Sequence, residues 1–381
     1  MEKEYFCTLK PLDMYFFGGE RNFQFDSSKN DGKVNYYITS EEMPRQSTVL
    51  GTVRFSMLQK NGLLNDIYCG DNAEHKEKIL SANNAKKNQQ CELIGERGFS
   101  LENTDYSVKT SYGKLDSISP VFICKKIGED EYHRLIPTPL NHNKKEKPSK
   151  YCPLTMQEGF YTELGNNTLL PTDYDANEGL ATGSFIDLDD SSTIVDGSEI
   201  FEDVELTRIA RKEDVDGLFK KKYKKMKSGY SFAFYCKAEE NALPTSGIVY
   251  MGQEKSPFML TAVETVQGEE KLKEKIGTLP GHKTASVYYA LADILLDIDD
   301  NLYKDISFSI IQSRQFRTLN DTGKYESFRL SRKKSSLYNL VQAGSIFYIE
   351  KEKEEMLQNI IRKDGLIQIG LNHLVKMGGA E

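Results

Sequence analysis

The sequence has no C-x-x-C pair and no H-x-H or H-x-x-x-H spacing, and its five histidines, His75, His133, His142, His282 and His373, are far apart. A zinc site is therefore not expected. The six cysteines, Cys7, Cys69, Cys91, Cys124, Cys152 and Cys236, are scattered, so no disulfide framework is expected either. No apolar run approaches the ~20 residues of a membrane helix. The first residues, MEKEYFCTLK, contain no signal-peptide-like hydrophobic region, and the expected compartment is the cytoplasm. There is no G-x-G-x-x-G, no G-x-x-x-x-G-K-[ST] and no G-x-S-x-G. The carboxylates are too many and too dispersed to single out an acid/base pair. No catalytic residue and no cofactor is expected. A metal-independent ribonuclease needs a positioned base, often histidine, and His373 in GLNHLVKMGG is the best candidate. An RNA-contacting or plain structural role ranks above catalysis for it.

What the chain does have is length, and charge in blocks. Its 381 residues exceed one ordinary core and point to about two domains. Hydrophobic residues make up 38%, which is globular composition. The net charge of -7 argues against indiscriminate nucleic-acid binding. From Thr172 to Thr207 there are eleven acids and no lysine or arginine. From Arg208 to Lys227 there are nine basic residues, among them Arg208, Arg211, Lys220, Lys221, Lys222, Lys224 and Lys225. A second basic run, seven residues headed by Arg314 and Arg317, reaches Lys334. Such a chain suits a subunit that grips nucleic acid on one face and proteins on others; solvated surface is an equal reading of any one run.

Residues 4–10 alternate like a strand, and 26–35 read as a loop. PRQSTVLGTVRFSMLQKNG reads as a helix capped by Ser47 or Thr48, with a Val49, Leu50, Val53, Met57, Leu58 stripe and a stop at Gly62. Residues 70–115 are polar, with NNAKKNQQ as a mobile insertion. SPVFICKKIGEDEYHRLIPTP reads as a hairpin, followed by an exposed loop, HNKKEKPSK. The acidic block 173–205 is placed at or near the junction of domains 1–200 and 201–381. Leu206–Ile209 and Ser231–Lys237 read as strands around the basic run. GIVYMGQEKSPFML reads as strand, turn, strand, and ASVYYALADILLDI as a second helix. SFSIIQSRQF, AGSIFYIEK and GLIQIGLNHLVKMGG read as strand-like. The mixture lacks a regular βαβ rhythm, so the fold class is α+β with antiparallel sheets, of which the ferredoxin-like unit is one form.

Three glycine-bearing loops stand out. FFGGER supplies Phe16, Phe17, Gly18, Gly19 and Arg21; MGQEK supplies Gly252, Gln253 and Lys255; IGLNHLVKMGG supplies Gly370, Asn372, His373, Lys376 and Gly378. Glycine lets backbone amides approach phosphate oxygens, although any one such loop is by default a turn. The helix start adds Gln46, Ser47 and Thr48, with amides and a dipole that favour anions, flanked by Arg45 and Arg54. Phe16 and Phe17 either stack on a base or pin their loop, and for at least one of them pinning is favoured.

LKPLDMYFFGGERNF followed by MPRQSTVLGTVR resembles the opening of the subunit-three family of the type III-B CRISPR effector, the Cmr complex, in the five-group of RAMP proteins. ELTRIARKEDVDGLFKKKYKKMKSGYSFAFY resembles the thumb-like hairpin of such proteins. GIVYMGQEKSPFML, VQAGSIFYIE and IGLNHLVKMGG resemble later family segments in the same order. Departures are Gln253, where a second glycine is usual, and Leu371 and Asn372 after Gly370, which break a G-x-G pattern. The resemblance implies two ferredoxin-like (RRM-like) RAMP domains and no nuclease activity. It also implies a subunit that holds the 5′ tag of the guide RNA and joins the large polymerase-like subunit to the backbone subunits, with target RNA a partner only indirectly. A RAMP endoribonuclease and a protein-only scaffold are the alternatives.

Overall fold

A computed structural model describes residues 1–379 apart from 26–33, 67–72, 97, 103–104, 146–148, 162–166, 178, 213–214, 253, 297–305, 318 and 327–328. The chain begins with β1 (Glu2–Pro11), β2 (Phe17–Phe25), β3 (Val34–Glu41), α1 (Gln46–Lys60) and α2 (Ala73–Ile94). Next come β4 (Leu115–Ile118), β5 (Phe122–Lys126), β6 (Tyr132–Pro137), β7 (Met156–Tyr161), β8 (Asn167–Pro171), β9 (Ser184–Asp187), β10 (Thr193–Asp196) and α3 (Gly197–Ile200). The middle holds β11 (Phe201–Lys212), β12 (Val215–Met226), β13 (Tyr230–Glu239), β14 (Ser246–Met251), β15 (Ser256–Thr265) and α4 (Gly268–Gly277). The last part holds β16 (Ala285–Ala290), β17 (Ile294–Leu295), β18 (Ile306–Ile310), β19 (Ser313–Phe316), β20 (Leu319–Glu326), β21 (Arg329–Lys334), β22 (Tyr338–Val341), β23 (Ile346–Glu350), α5 (Glu354–Ile361), α6 (Asp364–Ile367) and β24 (Leu374–Met377).

The fold is α+β with antiparallel sheets. A nine-stranded sheet runs β10-β9-β6-β5-β13-β1-β15-β14, with β4 also on β13. β1 lies at its centre, antiparallel to both β13 and β15. The acidic block contributes β9 and β10 to this sheet, and strands from either side of residue 201 share it. A four-stranded sheet runs β18-β23-β16-β24, and another joins the β11–β12 hairpin to β3 and β2. The β12–β3 pairing is parallel.

The α1 stripe packs as its spacing requires. Val49, Leu50, Val53 and Met57 are buried against Cys7, Leu9, Phe232 and Phe234 of the large sheet. Each such side chain contributes roughly 1.5–3 kcal/mol relative to exposure. The opposite face of the sheet, through Phe122 and Tyr235, packs on Val287, Tyr289 and Tyr348 of the second sheet and on Leu272 and Ile276 of α4.

Several expectations from sequence are corrected. ASVYYALADILLDI is not a helix; it forms β16 and β17. All six residues of β16 are buried between β23 and β24. A strand buried on both faces loses its alternation, and its apolar run then reads like a helix. NNAKKNQQ is not a loop but part of α2. Its polar side chains tie it down: Asn83 Nδ2 donates to the Asp66 carbonyl, Lys86 Nζ to that of Leu64 and Gln90 Nε2 to that of Leu63. The HNKKEKPSK segment is not wholly exposed, since His142 and Asn143 are buried. GLIQIGLNHLVKMGG is part helix, α6, and only Leu374–Met377 is strand. Most of the 26–35 loop lies outside the described residues, and Val34 and Asn35 already belong to β3. Neither Ser47 nor Thr48 caps α1. Arg45 is the N-cap residue, and no side chain caps it.

Candidate nucleic-acid interface

The chain leaves β3 through Glu42 and turns into α1 at Arg45. The Thr48 and Val49 amides both turn back to the Arg45 carbonyl, at 2.8 and 3.2 Å, and the Gln46 and Ser47 amides precede these bonds. This corner opens onto a cleft of about 500 Å³ whose lining includes Ser40, Glu41, Gln46, Asp293, Arg314 and Gly370. Gln46 is buried and donates through Nε2 to the Ser119 carbonyl at 2.7 Å. Gly370, at φ 81°, lies directly against it: a Cβ there would stand 2.2 Å from Gln46 Nε2 and 2.6 Å from the Ser119 oxygen. Only glycine admits both that φ and that approach. The helix start and the carboxy-terminal loop, more than 300 residues apart, thus meet at one place.

The cleft walls are charged but internally matched. Glu41 pairs with Arg45 at 2.9 Å and with Arg314 at 3.3 Å, and Arg314 also pairs with Asp293. Burial opposes the charge on Arg314, but Asp293 and Glu41 outweigh it and its pKa is raised. Lys224 pairs with Glu42 at 2.9 Å and Asp203 at 3.0 Å. Burial opposes its charge too, and the hydrogen bonds it donates to Glu42 and Asp203 prevail, so its pKa is raised. Arg45 also sits over the Phe316 ring, 5.4 Å from its centroid.

The sequence matches the CRISPR-associated protein (Cas_Cmr3) family over residues 7–375. The chain belongs to this family. Its members are what the opening motifs resembled. Among curated proteins there is no match. A solved structure described as the cryo-EM structure of the Type III-B Cmr-beta bound to cognate target RNA contains a similar chain. The two share 14% identity and a TM-score of 0.44, over 98% of this chain and 96% of that one.

Within this family member, several residues expected to face RNA are turned elsewhere. Phe17 is a core residue, stacked on Phe258 at 6.0 Å, and Phe16 is buried against Tyr223. FFGGER is not a loop, since Phe17–Arg21 belong to β2; Gly18 is exposed with open space around it, whereas the side chains of Arg21, Arg208 and Arg211, like Gly19 and Gln253, lie outside the described residues. Arg54 is an internal brace: it donates to the Ile94 and Gly95 carbonyls at 3.0 and 3.3 Å and covers Tyr112. Burial lowers its pKa. Asn372 is buried in a left-handed conformation, and its side chain binds Leu295 at N–H and carbonyl and the Ile361 carbonyl, so it has no free edge for a base. His373 is buried against the Ile367 carbonyl, 3.6 Å from Glu269. Burial lowers its pKa, partly offset by Glu269. Gly378, at φ 76°, packs on Gly281, where a Cβ would meet its Cα at 2.7 Å.

Others are differently engaged. Lys220 pairs with Glu205 and Lys222 with Asp203, across the hairpin itself. Lys225 and Arg317 are exposed, with no ion pair among the described residues. Lys376 holds Glu354 at 2.8 Å. Gly252, at φ 75°, rests on the Phe16 carbonyl, and the Lys255 amide turns back to the Gly252 carbonyl. The residues that sequence reasoning missed are the carboxylates: Glu41, Glu42, Asp203, Asp293 and Glu254. The signal was present, since FEDVEL directly precedes the basic run at hairpin spacing and places Glu205 opposite Lys222 and Asp203 opposite Lys224.

Proposed function

We propose that the chain is a non-catalytic RNA-binding subunit of a type III-B (Cmr) interference complex. It holds the 5′ tag of the guide RNA and joins the large polymerase-like subunit to the backbone. The observation that carries this reading is the meeting of Gln46 and Gly370 in one cleft, where helix amides, glycine backbone and basic side chains converge. Such a site suits single-stranded RNA, which is held by its backbone with bases splayed from the stack. The strand orders support two ferredoxin-like units. β15-β1-β13-β5 and β24-β16-β23-β18 both follow a 4-1-3-2 order, with α1 after the first strand of one and α5 before the last strand of the other. The burial of His373 favours binding over cleavage.

A photoreactive RNA carrying the repeat-derived 5′ tag is expected to label residues 45–54 or 369–379. Labelling of neither segment rejects the reading. Labelled repeat RNA is expected to stay intact with and without Mg²⁺; site-specific cleavage rejects the non-catalytic part alone.

A further inference from the structure

Among the described lysines of the β11–β12 hairpin, Lys221 is the one that is buried, with 6% of its surface exposed. Its Nζ lies 3.5 Å from the centroid of the Phe16 ring and 5.0 Å from that of Tyr223. It also pairs with Glu254, whose other carboxylate oxygen accepts from the Tyr223 hydroxyl at 2.6 Å. Glu254 belongs to the β14–β15 turn, and Gly252 of that turn sits on the Phe16 carbonyl. Three segments that are distant in sequence therefore meet at one buried ammonium. A buried ammonium is tolerated only where a carboxylate and aromatic faces replace its water, so the site holds all three together or none.

We infer that Lys221 is a positioning residue that clamps Phe16 and the start of β2, together with the β14–β15 turn, to the β11–β12 hairpin, and does not itself touch RNA. The hairpin, the start of β2 and the β14–β15 turn then move together, and a shift of one moves the others. The cost of losing the clamp falls on the order of these segments, not on phosphate contacts. Lys225, exposed on the same strand, is the contrasting case.

The test compares Lys221→Met, Glu254→Gln and Lys225→Ala in the full chain. Lys221→Met keeps the apolar stem, and Glu254→Gln keeps the turn's shape, so the second variant carries the test should the first fail to fold. Amide exchange in segments 15–18 and 254–256 is expected to speed up about tenfold in both clamp variants, the scale of one charge-assisted contact. Lys225→Ala should leave it unchanged. Affinity for 5′-tag RNA, titrated at several salt concentrations, should fall in both clamp variants with the salt slope unchanged, while Lys225→Ala lowers the slope by about 0.7. Unchanged exchange in both clamp variants overturns the inference. So does a lowered slope in Lys221→Met, which would make Lys221 a phosphate contact. The RNA arm rests on the proposed function and the exchange arm does not: if the unmodified protein fails to bind the tag, that function fails while exchange still decides the clamp.

Discussion

In the β11–β12 hairpin, lysines lie across from carboxylates of the same hairpin, Lys222 on Asp203 and Lys220 on Glu205, at the surface. In the loop around residue 370, the polar side chains of Asn372 and His373 point into the interior and only backbone remains at the cleft. Both stretches are rich in groups that bind nucleic acid, and in both those groups are largely used within the protein. On the hairpin, Lys220 and Lys222 go to weak exposed pairs, which an incoming phosphate can displace. The loop commits its polar side chains to buried bonds that nothing at the surface can displace.

The sharpest way to break this comparison is at Asn372. Its three buried hydrogen bonds and its left-handed backbone predict that Asn372→Ala lowers stability by about 3 kcal/mol, read from denaturant midpoints. A loss under about 0.5 kcal/mol, the size of an ordinary surface change, would place the loop with the hairpin.

A partly buried ion cluster outside both regions sharpens the contrast through pH. Asp189 accepts from Arg134 at 2.6 and 2.9 Å and pairs with Lys275 of α4 at 2.5 Å. Burial pushes its carboxyl up, but the hydrogen bonds from Arg134 and Lys275 prevail and hold it down at about 2. The folded value lies below the unfolded one of about 3.9. The stabilisation is therefore complete above about pH 5 and lost as pH falls toward the folded value. Asp189→Asn should be about 2 kcal/mol less stable at pH 7 and should flatten the pH dependence below about pH 4. Equal pH dependence in both proteins would contradict the bond network.

The smallest effect belongs to Ser47. Because Arg45 is the N-cap residue and no side chain caps the helix, Ser47→Ala should change the melting stability by less than about 0.5 kcal/mol. A true cap would cost about 1 kcal/mol.

How far the sequence could be read follows the same division. The α1 stripe was legible because its polar residues alternate with Val49, Leu50, Val53 and Met57 at helical spacing. The hairpins 122–137 and 246–265 were legible from their turns. β16 was not, since its burial on both faces erases the period that would have named it. α4, GEEKLKEKIG, went unseen because only Leu272 and Ile276 mark its apolar side. At the candidate site, the helix start and the carboxy-terminal glycines were each legible as elements that suit an anion. Which side chains faced inward was not, because the partners of Asn372, His373 and Lys221 are set by tertiary contacts with Leu295, Glu269 and Glu254.

The central position of β1 has a consequence for how the protein is made. Its neighbours are β13 and β15, so more than 200 residues separate Pro11 from the first strand that can flank it. At translation rates of about 5–20 residues per second, that strand waits on the order of ten seconds or more on the ribosome before it has a partner. YFCTLKP is thus the first strand of its sheet to be synthesised and among the last to be enclosed. Its two free edges are where a chaperone would find this chain.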